Sequence, residues 1–106
     1  MADSKQAMQY IRDLTQYYRA NGDQGINMVT MDAKGMIGGE TALDGSIELN
    51  MSVPLEYRAG FRAEELLHFQ QLNEGGLLGT TLTPAQRLEL EVEAAQKLLN
   101  NGFKAH

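Results

Sequence analysis

Residues 62–71 read Arg-Ala-Glu-Glu-Leu-Leu-His-Phe-Gln-Gln, and three of their side chains can do chemistry together. On a helix Glu64 and His68 stand one turn apart on one face, with Glu65 about 100° around from Glu64. A helix carrying His-Glu-x-x-His grips a metal with two imidazoles at i and i+4, and its glutamate takes the proton of the attacking water. Here Glu64 occupies the first position. Glu64 and His68 as ligands with Glu65 as general base form a harder, more anionic set than two imidazoles, suited to weakly held zinc or to manganese or iron.

A third ligand must come from elsewhere in the chain. Only two histidines occur, His68 and His106, and there is no cysteine, so the site has to be rich in carboxylate. Residues 88–95, Leu-Glu-Leu-Glu-Val-Glu-Ala-Ala, supply Glu89, Glu91 and Glu93, with Glu89 and Glu93 one turn apart on a common face. Leu88, Leu90, Val92, Ala95, Leu98 and Leu99 give this segment a broad apolar stripe, which predicts a well-buried helix with at least one carboxylate turned inward. Taken singly, a Glu-Glu pair, a lone histidine and an acidic stripe are ordinary solvated helix surface. Their joint arrangement carries the functional expectation.

The elements that position these residues follow from periodicity and punctuation. Residues 3–20 have apolar side chains at helical spacing (Ala7, Met8, Ile11, Leu14, Tyr17, Tyr18), with Asp3 or Ser4 as cap and Asn21-Gly22-Asp23 as stop. Three short strands are expected at 26–31, 36–41 and 46–51, the first two joined by a turn at 32–35 and the last two through Leu43-Asp44-Gly45. Gly38-Gly39 inside the middle one marks a bulge or a close approach of backbone. A helix starts at Val53-Pro54 and runs to about Asn73, with Gly60 a possible break and Gly75-Gly76 its end. Thr83-Pro84-Ala85-Gln86 is a capping box opening a helix over 84–100, stopped by Gly102. This order predicts one α+β domain over 1–106, three helices packed on one face of a small antiparallel sheet.

Composition narrows the function classes. The 106 residues are 42% hydrophobic and 22% charged with a formal net charge of -5. Scattered Lys and Arg in an acidic chain argue against nucleic acid as partner. No apolar run reaches membrane-spanning length, so no membrane insertion is expected. The amino end opens an amphipathic helix rather than a signal peptide, so any export is expected to be as part of a larger secreted machine. Phosphate-loop, dinucleotide-binding and Gly-x-Ser-x-Gly patterns are missing.

Glu-Glu-Leu-Leu-His-Phe-Gln-Gln, followed after a glycine-bearing loop by Glu-Val-Glu-Ala-Ala, resembles the minimal zincin-like metallopeptidase domains attached to bacterial polymorphic toxins and injection-system effectors. Those domains carry His-Glu-x-x-His-x-x-Gln and, downstream, Glu-x-Glu-Ala. The similarity covers roughly residues 46–100. It implies Glu65 as the catalytic glutamate, His68 as the second histidine ligand, Glu93 as the third ligand and Glu64 in place of the first histidine. A divalent metal, zinc before manganese or iron, and a peptide or protein substrate follow from it. The competing expectations are a catalytically inactive relative kept as an interaction module or structural piece, and a di-iron carboxylate protein. The last would use Glu65-x-x-His68 and need a symmetric oligomer to supply a second such pair.

Overall fold

A computed structural model describes residues 4–22, 25–30 and 37–104. Asp3, Asp23, the expected turn at 32–35, the strand ends at Met31 and Met36, and His106 lie outside the described residues. The elements in order are α1 (Ser4–Asn21), β1 (Ile26–Val29), β2 (Gly39–Thr41), β3 (Ile47–Asn50), α2 (Leu55–Glu74) and α3 (Pro84–Asn100). The α+β class and the three helices agree with the sequence. The strand pairing differs from it.

The sheet order is β1-β3-β2, so the strand last in sequence is central. β2 and β3 form the expected hairpin, with Gly39 opposite Leu49 and Thr41 opposite Ile47. Its turn is closed by Ala42 N–H donating to the Ser46 carbonyl at 2.9 Å, with Gly45 at a φ of 91° where a side chain would be strained. β1, however, runs parallel to β3, Ile26 facing Ile47 and Val29 facing Asn50, so the sheet is mixed rather than antiparallel. Strand order obeys burial here. Ile47, Leu49 and Asn50 are all buried, the marks of a strand with neighbours on both sides, whereas β1 carries exposed Asn27 and Met28.

α2 is the hub of the fold, touching α1, α3, β2 and β3. It runs unbroken through Gly60 and buries Ala63, Leu66, Leu67, Phe69 and Leu72, more than one stripe because it is covered from several sides. α1 lays Ala7, Ile11, Leu14 and Tyr18 against it at i, i+4, i+7 and i+11. Tyr18 meets the Phe69 ring edge-on at 4.7 Å, and its hydroxyl reaches the carbonyls of Gly25 and Gly45, both at 3.0 Å. α3 opens with the expected capping box, Thr83 Oγ1 accepting from Gln86 N–H and the Gln86 side chain accepting from Thr83 N–H. Contrary to the breadth of its apolar stripe, α3 buries only Ala94, and leaves Leu88 at 66% and Val92 at 62% exposure. Among the described residues no helix is long and apolar enough to cross a membrane.

Gly38-Gly39 turns out to be a close approach rather than a bulge. A Cβ at Gly38 would fall 2.0 to 2.3 Å from the Phe61 ring, and one at Gly39 would meet the Glu48 carbonyl at 2.7 Å and Glu65 Cγ at 3.0 Å. Buried Asn50 holds this segment down, its side-chain amide donating to the Ile37 carbonyl and its backbone N–H to the Gly38 carbonyl. Gly38→Ala is therefore expected to cost about 1–3 kcal/mol by overpacking, read as a lowered urea midpoint. An unchanged midpoint would contradict the approach of the segment leading into β2 to Phe61 of α2.

Candidate metal centre

α2 and α3 cross so that Glu64, His68 and Glu91 offer one ligand atom each within 4.8 Å of one another. His68 Nε2 lies 3.6 Å from Glu64 Oε1 and 3.4 Å from Glu91 Oε1. Three donors bound tetrahedrally at about 2.1 Å sit about 3.4 Å apart, so these two edges already match a metal-bound spacing. The group could hold a metal ion.

The tautomer of His68 is fixed by its neighbours. The Gln71 side-chain amide donates through Nε2 to the Leu90 carbonyl at 3.0 Å and to Glu93 Oε1 at 3.2 Å. Both are acceptors, so the amide oxygen of buried Gln71 must face the other way, and it meets His68 Nδ1 at 2.8 Å. Nδ1 thus carries a proton and Nε2 faces the two carboxylates, so Gln71 holds the ring in the orientation a metal-ligating imidazole needs. In the neutral imidazole that lone pair and the two carboxylates repel, which favours a proton on Nε2 or a metal ion among them. Burial works against the His68 cation, but the bond to Glu64, the bond to Gln71 and the charges of Glu65 and Glu91 outweigh it and raise His68 to about 9.

Glu65 is the buried acid of the cluster, 6% exposed. The Thr41 hydroxyl on β2 lies 2.8 Å from Glu65 Oε1 and 2.8 Å from its carbonyl oxygen, and with one proton it donates to one of them at a time. Burial pushes the Glu65 carboxyl up to about 7, with Glu64 and Glu91 adding to the rise while Thr41 and His68 oppose it. Together β2, α2 and α3 enclose a cleft of ≈ 570 Å³ onto which Thr41, Glu64, Glu65, His68, Arg87 and Glu91 all open.

The structure brings together Glu64, Glu65 and His68 as the spacing implied, but the third carboxylate is Glu91, not Glu93 or Glu89. Glu93 is paired with Lys97 at 3.1 Å, and the bonds from Gln71 and Lys97 hold its carboxyl below the ordinary range. The reason lies in which face of α3 packs. Leu90, Ala94 and Leu98 form the inward row, and at about 100° per residue Glu91 lies about 60° from its centre and Glu93 about 100°. The small residue Ala94, buried on that row, was the signal in the sequence for that face. Thr41 and Arg87 carried no such signal, because strand pairing and helix crossing bring them in. No protein-family profile, curated protein or solved structure matches this chain.

Proposed function

We propose that this chain is a zincin-like, metal-dependent hydrolase acting on peptide bonds, with Glu64, His68 and Glu91 as ligands and Glu65 as general base. The observation that supports it is the convergence of three donors from two helices beside a separately buried carboxyl in one cleft. As the water oxygen attacks the scissile carbonyl carbon, Glu65 takes the proton released. It then delivers that proton to the amide nitrogen as the C–N bond breaks, leaving a carboxylic acid and an amine. Burial raises the Glu65 carboxyl in the metal-free protein, and a carboxylate withdrawn from water is a stronger proton acceptor than an exposed one. A bound divalent cation supplies the charge that polarises the carbonyl and acidifies the water. One imidazole with two carboxylates is a ligand set that takes zinc, manganese or iron. The resemblance to toxin and effector domains suggests a protein or peptide target and a bacterial delivery machine.

One observation favours the second reading, an inactive interaction module. With His68 raised to about 9, the metal-free protein at neutral pH has a cation bridging Glu64 and Glu91, which is itself an interhelix ion pair. Zinc titration of chelator-treated protein separates the two. Glu91→Ala is expected to weaken zinc binding by about 10- to 100-fold, while Glu93→Ala leaves it within about threefold, since Glu93 bonds Gln71 and Lys97 and is not one of the three converging donors. No zinc binding in the unaltered protein, or the reverse ranking of the two variants, overturns the proposal.

A further inference from the structure

We infer that Arg87 anchors a carboxylate of the substrate, so that the cleft takes peptides carrying an acidic group one or two residues from the bond attacked. This rests on the hydrolase reading for the meaning of that bond, though not for the binding itself. Glu40, Glu64, Glu65 and Glu91 open onto the cleft, and among the described residues the cations lining it are His68 and Arg87. The other central groups are engaged: Glu64 and Glu91 with His68, Glu65 with Thr41.

The Arg87 guanidinium makes no ion pair or hydrogen bond among the described residues, although Glu91 lies one turn further along the same helix. An arginine four residues before a glutamate is the weaker order for a helical pair. Arg87 lines the cleft one helical turn toward the amino end of α3 from Glu91, and Leu82, just before that helix, lines it too. Four residues of helix rise about 6 Å, and an extended peptide advances about 3.3 Å per residue. A substrate whose scissile carbonyl lies at the Glu64–His68–Glu91 group therefore reaches Arg87 one or two residues away. A guanidinium presents a planar fork of donors that matches a carboxylate in two bonds. Leu82 and Leu90 line the same cleft and offer apolar surface to the residue between.

The carboxylate can be a chain terminus or an acidic side chain, and the experiment distinguishes them. Chelator-treated protein is titrated with acetyl-Ala-Leu-Ala as free acid, the same peptide as carboxamide, and acetyl-Ala-Leu-Glu carboxamide, following the Arg87 side-chain N–H by NMR. At least one acid is expected to bind about tenfold tighter than the neutral peptide, and the better one identifies the source. In Arg87→Ala the preference should fall to about one, and in Arg87→Lys, a point charge, it should be partly kept. Equal binding of acids and amide, a preference that survives in Arg87→Ala, or no response of Arg87 to either acid overturns the inference. Failure of zinc to bind would sink the hydrolase reading alone, because this preference is measured without metal.

Discussion

Glu65→Gln is expected to remove hydrolysis, a loss of at least about 10²- to 10⁴-fold, and at the same time to stabilise the metal-free protein at alkaline pH. The substitution keeps the size of the side chain and an oxygen for the Thr41 hydroxyl, but nothing that can ionise. Folding raises Glu65 from 4.5 to about 7, so its favourable contribution is complete below pH 4.5 and is lost as pH climbs through 7. That interval corresponds to about 3 kcal/mol. His68, raised from 6.5 to about 9, has the same sign: its contribution is present below 6.5 and lost as pH rises through 9. Urea unfolding in chelator should place the variant near the parent at pH 4.5 and above it by up to about 3 kcal/mol at pH 8. Loss of the Glu65 charge beside His68 trims that gain. Equal stability differences at the two pH values would mean that Glu65 is not held as a buried acid.

The elements were legible where local chemistry decides them. Thr83, Pro84 and Gln86 fix the start of α3 by side-chain and backbone bonds spanning four residues, and Asp44-Gly45 fixes the β2–β3 turn in the same way. Pairing of β1 with β3 was not legible, because it depends on which strand is buried on both sides, and alternation within three or four residues does not carry that. The Glu64, Glu65 and His68 group was legible because one helix sets its geometry. Its third member depends on how α3 is rotated against α2. Here the apolar stripe misled: Leu88 and Val92 face solvent, while the weaker row Leu90, Ala94 and Leu98 packs, and the rotation between the two faces replaces Glu93 by Glu91. Gln71 was visible as a residue and silent as to role, since its three partners lie on two helices.

Glu64→His is expected to raise zinc affinity at pH 7 by two routes. The first is the ligand itself: a second imidazole one helical turn before His68 restores the two-nitrogen grip that suits zinc better than an added carboxylate. The second is competition with a proton. At pH 7 a His68 near 9 must lose its proton before it can bind a metal, which weakens apparent affinity by about 10². Removing Glu64 deletes the strongest of the contacts that raise His68, so part of that factor is recovered. The gain should be about 10- to 1,000-fold at pH 7 and smaller at pH 9, where the parent has already shed half of the competing proton. Competition against a chromophoric chelator at both pH values measures it. A gain of the same size at pH 7 and pH 9 would leave the ligand effect and discard the proton. No gain at either would mean that Glu64, His68 and Glu91 form an ion pair tying α2 to α3, and the interaction-module reading would replace the hydrolase.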